Sequence, residues 1–306
     1  MIVVVTPNPA VDVTYRVDEQ RIGTTQRVRS VDRLPGGKGL NVARVLAGEG
    51  IETHSVLPLG GSAGTWVADA VAALGLDATA VPVPGETRTT VTVVDDRAHP
   101  TMFGEPGPSV PPAAWLSVDD AVRALLPTAD ALVVSGSLPV GTAAEVVTPW
   151  IAAAVGSGVL VVADCSGPAL LAAADAGATV CKPNREELAE ATGLPDERDG
   201  ALALLDRGAG MVVVSRGAEG IAAHTRTEVV EVGAVPGVTG NPTGAGDAAT
   251  AGLVLALTRD ATDVPSALRT AAAFGAAAVL RPVAGEVDRA AVHRFLSDTE
   301  PTRSTA

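Results

Sequence analysis

Short aliphatic runs alternate with segments of helical periodicity along most of the chain. The apolar runs cover about residues 2–6, 54–59, 131–135, 158–163, 179–181, 211–215 and 221–224, and helical segments are predicted at about 39–49, 65–74, 142–155 and 248–257. Continuously apolar strands are typical of a parallel sheet that is covered by helices on both faces. The pattern therefore predicts one doubly wound α/β domain, with ligands at the carboxyl ends of its strands.

Two segments do not fit this pattern and predict a second, smaller sheet. Residues 12–34 are polar with alternating character, and residues 86–105 contain the run Thr-Arg-Thr-Thr-Val-Thr-Val-Val-Asp-Asp before a turn at 98–100. Alternation is typical of strands with one exposed face. We expect these strands to form a lid over the carboxyl-end face of a single domain spanning residues 1–300. The remaining residues, 301–306, are predicted to be a frayed tail.

The composition indicates which residues form the core and which kinds of partner the protein can bind. Hydrophobic residues make up 47% of the chain but aromatic residues only 2%, which predicts a core of alanine, valine and leucine. The net charge of −13 argues against binding of nucleic acid or an anionic membrane through bulk charge, so a phosphate ligand would need local basic residues. Cys165 and Cys181 lack the spacing of metal ligands and are interpreted as small buried side chains in a reducing compartment. The chain shows no signal-peptide pattern and no membrane-spanning run, from which we expect a cytoplasmic protein.

A glycine-rich turn that ends in a carboxylate is the main candidate for chemistry. Residues 241–247 read Asn-Pro-Thr-Gly-Ala-Gly-Asp and precede the helical segment 248–257. Consecutive backbone N–H groups at a helix N-terminus bind anions, whereas a carboxylate beside them would repel a phosphate. Asp247 is therefore interpreted as a general base that takes a proton from a hydroxyl attacking a phosphoryl group. The alternative is an acidic residue that stabilises the first turn of the helix.

A second glycine cluster precedes the predicted helix at 39–49. Residues 35–41 read Pro-Gly-Gly-Lys-Gly-Leu-Asn, so that Lys38 is a candidate charge for a phosphate and Asn41 a candidate partner for hydroxyls. The segment is not a Walker A loop, because Asp32 occupies the position of the first glycine. The alternative is an ordinary turn with a solvated lysine.

Polar side chains follow several predicted strands, where ligands are expected. Asp12 is a candidate acceptor for sugar hydroxyls, or alternatively a turn residue, and Ser137 is a candidate ligand contact. Residues 182–187 place Asn184 and Glu187 at the spacing of a capping box. The same pair is a candidate site for Mg²⁺ near nucleotide phosphates.

The remaining candidates are one further turn and two arginines. Residues 215–220 read Ser-Arg-Gly-Ala-Glu-Gly and form either a hairpin turn or a nucleotide contact. Arg27 and Arg88 lie in the predicted lid, where each taken alone is explained as a solvated surface charge. Together with Lys38 they would form a cationic pocket in an otherwise acidic protein.

The order of these motifs resembles the PfkB, or ribokinase-like, family of carbohydrate kinases, and within it the branch of 1-phosphofructokinase and tagatose-6-phosphate kinase. The resemblance covers about residues 1–295. Its motifs are, in chain order, Thr-Pro-Asn-Pro-Ala-Val-Asp, Gly-Gly-Lys-Gly-Leu-Asn, Thr-Arg, Ser-Gly-Ser-Leu-Pro, Lys-Pro-Asn-Arg-Glu-Glu, Ser-Arg-Gly-Ala-Glu-Gly and Asn-Pro-Thr-Gly-Ala-Gly-Asp. Thr25 occupies a position where the branch often has a basic residue, so the expected phosphate pocket is less basic.

The resemblance implies a ribokinase-like α/β fold with a β-sheet lid, and transfer of the γ-phosphoryl group of ATP to a hydroxyl of a ketohexose phosphate with Mg²⁺. It makes Asp247 the general base and the backbone N–H groups of Gly244, Ala245, Gly246 and Asp247 the anion hole. The implied sugar contacts are Asp12, Gly37, Lys38 and Asn41, and the implied contacts to the phosphate of the sugar are Arg27, Arg88 and Lys38. The implied residues around Mg²⁺ and the nucleotide are Asn184, Glu187, Ser215, Gly217 and Gly220.

The sequence leaves the substrate open among fructose 1-phosphate, fructose 6-phosphate and tagatose 6-phosphate. One alternative is a kinase for an unphosphorylated sugar or nucleoside, against which Arg27 and Arg88 argue. Another is a non-catalytic sugar-phosphate sensor, against which Asp247 argues because a binder needs no base. A dinucleotide oxidoreductase lacks support, since no Gly-x-Gly-x-x-Gly follows the first strand. The expected partners are small molecules, and the edge of an exposed lid would also allow a homodimer.

Overall fold

The computed structural model describes residues 1–95, 100–297 and 301–305, the last of these only by their backbone. The predicted turn at 98–100 therefore lies largely outside the described residues. The strands are β1 (Ile2–Val5), β2 (Ala10–Arg16), β3 (Ser30–Gly36), β4 (Thr53–Leu59), β5 (Asp77–Pro82), β6 (Arg88–Val94), β7 (Thr101–Gly104), β8 (Ala131–Ser135), β9 (Leu160–Asp164), β10 (Val180–Cys181), β11 (Met211–Ser215), β12 (Ile221–His224), β13 (Glu228–Val232) and β14 (Pro301–Thr305). The helices are α1 (Lys38–Gly48), α2 (Gly61–Ala73), α3 (Pro112–Leu125), α4 (Thr148–Gly156), α5 (Pro168–Asp175), α6 (Arg185–Thr192), α7 (Glu197–Arg207), α8 (Ala245–Arg259), α9 (Val264–Val279) and α10 (Arg289–Leu296), with short 3-10 helices at Leu126–Thr128, Ala144–Val147 and Gly217–Glu219.

The main sheet has ten strands in the order β14-β13-β12-β11-β10-β9-β8-β1-β4-β5. The strands from β11 to β5 are parallel, and β12, β13 and β14 are antiparallel to their neighbours. From β1 the chain proceeds to β4 and β5 on one side, and from β8 to β11 on the other. The strand order thus reverses between β1 and β8, and in doubly wound sheets ligands bind at such a switch point. The predicted ribokinase-like, doubly wound α/β fold is confirmed.

A separate four-stranded sheet in the order β3-β2-β6-β7 forms the predicted lid. Its two outer pairs are antiparallel and its central pair, β2 with β6, is parallel. The lid adjoins the carboxyl ends of the main strands, because β2 begins only a few residues after β1 ends. Near β4, the backbone N–H of Gly60 donates a hydrogen bond of 3.0 Å to the hydroxyl of Thr87, just before β6.

The core consists of small aliphatic side chains on both faces of the main sheet, as the composition predicts. Every residue of β1 and β8 is buried, which explains why these strands are continuously apolar. Among the few aromatic residues, Trp115 and Trp150 pack at a ring distance of 5.8 Å. Both cysteines are buried and unpaired, and burial raises the pKa of Cys181 to about 12, as expected for inert thiols.

The end of the described chain differs from the prediction. Residues 301–305 form strand β14, which pairs antiparallel with β13 in the register Val230↔Arg303, so the prediction of a frayed tail is wrong there. An unpaired sheet edge offers backbone N–H and C=O groups to any extended segment, so an apolar pattern is not required for such pairing. No helix within the described ranges is long and apolar enough to cross a membrane.

Candidate active site

The two glycine-rich turns meet at the switch point, each at the start of a helix. A Cβ atom at Gly36 would overlap the carboxylate of Asp12, and Gly37 adopts φ 99°, a conformation that favours glycine. The N–H of Gly37 lies 3.4 Å from Asp12 Oδ2. Burial raises the pKa of Asp12, although the Gly37 hydrogen bond and the nearby Arg88 charge oppose the rise. The first glycine turn therefore wraps the Asp12 side chain and directs α1 into the site.

Asp247 lies in the first turn of α8 and is buried, with 7% of its surface exposed. It accepts a hydrogen bond of 2.8 Å from Asn41 Nδ2, which joins the two glycine motifs. Burial and then the charge of Asp164 raise the pKa of Asp247 to about 7, against the opposing effects of Asn41 and Lys38. A carboxylate with a pKa near neutrality is suited to general base catalysis.

The turn before α8 presents backbone donors beside Asp247. Gly244 adopts φ 81°, and a Cβ atom there would lie 2.6 Å from Ala284 Cβ, so only glycine fits. Within the described residues, the N–H groups of Gly244, Gly246 and Asp247 have no hydrogen-bond acceptor. The N–H of Ala245, assigned to the same anion hole, differs because it already donates to the Pro242 carbonyl at 3.1 Å. Three of the four expected donors are thus available to an anion at the positive end of the helix.

Asp164 and Lys182 form a charged centre that the sequence analysis did not assign. The Asp164 carboxylate accepts a hydrogen bond of 2.7 Å from Thr250 Oγ1 and lies 3.5 Å from Lys182 Nζ and 3.8 Å from Lys38 Nζ. Burial alone would raise the pKa of Asp164, but Lys182 and Lys38 hold it below its usual range. The Asp164 charge in turn raises the pKa of Lys38. The sequence feature that could have identified these two residues is their position, since Asp164 is the last residue of an apolar strand and Lys182 directly follows another.

Asn184 and Glu187 form the predicted capping box at the start of α6. The Glu187 N–H donates to Asn184 Oδ1 at 2.8 Å, and the Asn184 N–H donates to Glu187 Oε2 at 3.0 Å. The other carboxylate oxygen, Oε1, lies 2.8 Å from Lys38 Nζ. The helix cap therefore also places a carboxylate in the site. No group of three or more acidic, histidine or cysteine side chains that could hold a metal ion occurs in the part of the chain that the structure describes.

The turn at 215–220 adjoins this capping box. The Ser215 N–H donates to the Pro183 carbonyl at 3.1 Å, and Ser215 forms an isolated bridge with Asn184. Gly220 adopts φ 98°, and a Cβ atom there would overlap the Val232 carbonyl oxygen. The segment is thus a tight connection from β11 to β12, as its hairpin interpretation predicts. Gly217 also adopts a positive φ, of 58°.

Arg44 was not identified from the sequence and links the two halves of the site. It is a buried residue of α1 that donates to the Ala284 carbonyl at 3.0 Å. Its guanidinium packs against Gly285, where a Cβ atom would lie 2.6 Å from the nearest nitrogen. A Cβ atom at Gly244 would meet Ala284, so Arg44 connects α1 to the glycine-rich turn before α8. Arg281 belongs to the same segment and forms an ion pair of 2.6 Å with Glu286.

The structure brings one of the two lid arginines into the site. Arg88 donates through Nε to the Asn8 carbonyl at 3.1 Å and through a terminal nitrogen to the Glu105 carbonyl at 3.2 Å. Arg27 lies in the exposed loop between β2 and β3, and no contact among the described residues joins it to Arg88 or Lys38. Ser137 is exposed, with its hydroxyl 3.4 Å from Asn8 Nδ2. The expected cationic pocket is therefore not closed in this structure.

Comparison with known proteins gives one consistent result. A model for pfkB family carbohydrate kinases matches residues 5–289. A 1-phosphofructokinase from Xanthomonas campestris pv. campestris is 36% identical over 283 residues, which cover 89% of each chain. An ATP-dependent 6-phosphofructokinase isozyme 2 from Mycobacterium tuberculosis is 33% identical, over 98% of this chain and 91% of the relative. These relatives confirm the resemblance to the 1-phosphofructokinase branch.

Solved structures agree with this result. Phosphofructokinase-2 from Escherichia coli in its tetrameric inhibited form matches with a TM-score of 0.87 and 27% identity, over 97% of this chain and 98% of that chain. The same enzyme in complex with fructose 6-phosphate matches with a TM-score of 0.86 and 28% identity, with the same coverage. Since the family model spans nearly the whole chain and the fold and motif order agree, the protein belongs to the pfkB family of carbohydrate kinases and is a phosphotransferase that acts on an alcohol group.

Proposed function

We propose that this protein transfers the γ-phosphoryl group of ATP to a hydroxyl of a ketohexose phosphate, namely fructose 1-phosphate, fructose 6-phosphate or tagatose 6-phosphate. The observation that carries the proposal is Asp247, a buried carboxylate with a pKa of about 7 beside unpaired N–H groups at a helix N-terminus. The names of the relatives support a phosphorylated sugar, since they are a 1-phosphofructokinase and a 6-phosphofructokinase.

In the proposed reaction, Asp247 accepts the proton of the substrate hydroxyl as its oxygen bonds to the γ-phosphorus, and the bond from that phosphorus to ADP breaks. The unpaired N–H groups of Gly244, Gly246 and Asp247 stabilise the charge of the transferring group. Phosphoryl transfer requires mainly such positioning and charge stabilisation. Lys182, held in place by Asp164, supplies positive charge on the nucleotide side.

We place Mg²⁺ and the nucleotide at the adjoining motifs. Glu187, positioned by Asn184, offers a hard oxygen donor of the kind that Mg²⁺ uses together with nucleotide phosphates. The ion would neutralise phosphate charge there. Ser215, Gly217 and Gly220 are proposed to line the nucleotide site, because their turn contacts the Asn184 segment.

The sugar phosphate is placed between α1 and the lid. Asp12, Gly37, Lys38, Asn41 and Ser137 are the proposed sugar contacts. The proposed contacts to its phosphate are Arg88, with Lys38 and Arg27. Two backbone carbonyls already fix Arg88, so this cation is positioned before the ligand arrives. Arg27 takes part only when its exposed loop closes over the site, and closure of this kind also excludes water.

The lid is also the proposed dimer interface. Its outer strands β3 and β7 carry the exposed apolar side chains of Val31, Met102 and Phe103. Exposed apolar side chains on free sheet edges favour pairing with a second copy. A homodimer through the lid would bury them.

The test is release of ADP from MgATP in the presence of the three hexose phosphates, free fructose and ribose. We expect strong turnover on one sugar phosphate and none on the free sugars. Turnover on free sugars alone would contradict the roles of Arg88 and Arg27. If no compound of the panel causes ADP release but calorimetry detects binding of a sugar phosphate, a non-catalytic sensor would be favoured.

A further inference from the structure

A cluster of charged side chains behind the nucleotide motifs is not explained by the proposed reaction. Its centre is Glu197, the first residue of α7, whose side chain is 15% exposed. The Glu197 carboxylate accepts hydrogen bonds from Arg185 Nε at 2.8 Å and from Arg216 Nε at 2.9 Å, and lies 2.8 Å from His224 Nε2. A single carboxylate thus binds side chains from three separate elements.

The two arginines lie within the two segments proposed to contact the nucleotide. Arg185 directly follows Asn184, and Arg216 lies between Ser215 and Gly217. They line a cavity of about 560 Å³ together with Glu197 and His224, and its lining does not include Asn184 or Ser215.

Each arginine of this cluster has a second acidic partner. Arg216 also bonds Glu231 at 2.7 Å, and Arg185 also bonds Glu219 at 2.8 Å. Burial would raise the pKa of Glu197, but hydrogen bonds from His224, Arg216 and Arg185 outweigh it and hold the pKa far below its usual range. The carboxylate is therefore ionised at every pH at which the enzyme would be assayed. Loss of its charge would leave a half-buried guanidinium without its main partner.

We infer that Glu197 is a positioning residue for nucleotide binding, which ties Arg185 to Arg216 and so fixes the 215–220 turn against the start of α6. The inference rests on the proposed function, because it takes this turn and Asn184 as nucleotide contacts. The two segments follow directly on the parallel pair of β10 and β11. Beyond these strands their backbone link is the bridge between Asn184 and Ser215, which includes the bond from the Ser215 N–H to the Pro183 carbonyl. The side-chain bonds through Glu197 add a further restraint on the position of the 215–220 turn.

The experiment is steady-state kinetics of Glu197→Gln, which keeps the side-chain shape but removes its charge. We expect the KM for MgATP to rise about tenfold, as for loss of a hydrogen bond to a charged group, while kcat and the KM for the sugar phosphate stay within about twofold. The control is Glu145→Gln, an exposed residue at the start of another helix, which should change none of these constants. Equal changes in both KM values, or an unchanged KM for MgATP, would overturn the inference.

A double-mutant cycle separates positioning from general destabilisation. Arg216→Met should raise the KM for MgATP to a similar extent, and combining it with Glu197→Gln should add little, because both remove the same bond. Fully additive effects would count against the inference. If circular dichroism shows that Glu197→Gln does not fold, Arg185→Gln replaces it in the test, because it removes only the exposed arginine of the cluster. This variant should raise the KM for MgATP a few-fold, and an unchanged KM for MgATP would also refute the inference.

Failure of the proposed function is recognised separately. If the wild-type protein turns over no sugar phosphate, that proposal fails, and MgADP binding is then measured by calorimetry on the same variants. Weaker binding by Glu197→Gln than by Glu145→Gln would still support the inference. Equal binding, or no binding by the wild-type protein, would overturn it.

Discussion

Two buried carboxylates of the site differ in how their charge is balanced. Asp164 faces two lysines and a hydroxyl, and these hold its pKa below the usual range despite burial. Asp247 has one amide donor, and burial together with the repulsion of Asp164 raises its pKa to about 7. Pairs of groups whose surroundings separate their pKa values take different chemical roles. Asp164 is thereby a permanent anion that holds lysines, and Asp247 is the group able to exchange a proton.

Asp247→Asn should therefore abolish proton transfer while it preserves the shape of the site. We expect kcat to fall by about 10²–10⁴-fold, the range typical of general base catalysis, with the KM for MgATP nearly unchanged. Steady-state kinetics at saturating sugar phosphate measures this. A variant that retains wild-type kcat would show that Asp247 is not the base.

The same residue predicts a pH-dependent stability that requires no substrate. The pKa of Asp247 is about 7 in the folded protein against an ordinary value of 3.8, so the folded state holds a proton that the unfolded state releases. The stability that this proton provides is complete below the lower value and is lost as the pH rises through the higher one. Relative to Asp247→Asn, the wild-type free energy of unfolding should fall between about pH 4 and pH 7 and then level off. A constant difference across urea titrations in this range would refute the raised pKa.

Arg88→Met tests the phosphate contact. It removes a fixed cation, so the KM for the sugar phosphate should rise by about 10–100-fold, as for loss of a hydrogen bond between charged groups. The KM for MgATP should change little. Arg33→Met, an exposed arginine in β3 of the same lid, is the matched control and should leave both constants unchanged. Equal effects of Arg88→Met on both substrates would reject its assigned place.

At the scale of elements, continuous apolar runs predicted six of the parallel strands, and helical periodicity predicted α1, α2, α4 and α8. Elements without that pattern were missed, such as β5, whose residues Asp77–Pro82 are mostly exposed, and β14, which pairs through its backbone. The helix expected at 142–155 begins as a 3-10 turn at Ala144–Val147, and Pro149 stands in the first turn of the α-helix that follows. The capping box of α6 was predicted because its two side chains bond only to neighbouring backbone groups.

The N-terminus of α8 gives a prediction at this scale. Gly244→Ala would force a side chain into a left-handed turn and against Ala284, so the N–H groups proposed to bind the anion should move. We expect kcat to fall at least tenfold. Gly48→Ala is the control, because Gly48 ends α1 in open space with helical backbone; it should keep full activity and a slightly higher unfolding temperature. An active Gly244→Ala enzyme would argue against the anion hole.

At the scale of the whole molecule, motif order predicted which segments form the site, but not how they are connected. The bond of Arg44 to Ala284 spans 240 residues, and the bonds of Glu197 to Arg185 and Arg216 join separate elements of the fold. None of these bonds could be predicted from the sequence, because hydrophobic periodicity indicates only local structure. For Arg27 the motif order predicted a place beside Arg88 and Lys38, but in the structure its loop is exposed and makes no such contact.

The lid also carries a prediction for assembly. If the lid mediates a homodimer, Phe103→Glu places a charge on its exposed apolar strand and should shift the protein toward monomer in sedimentation velocity. Leu116→Glu, an equally exposed apolar residue on α3, is the control and should not change the sedimentation coefficient. Identical behaviour of both variants and the wild type would exclude the lid as the interface.

The adjacency of β1 and β8 has a consequence for how the enzyme is made. The switch point lies between strands that pair Ile2 with Ala131, and the Asn41–Asp247 hydrogen bond closes a still longer stretch of chain. Pairing of such remote segments is slow, because chain entropy is lost before the contacts form. Because Asn41 precedes Asp247 by 206 residues, a nascent chain holds the first glycine turn long before it receives the second. If the two turns have the proposed roles, phosphoryl transfer has to wait until they have folded against each other.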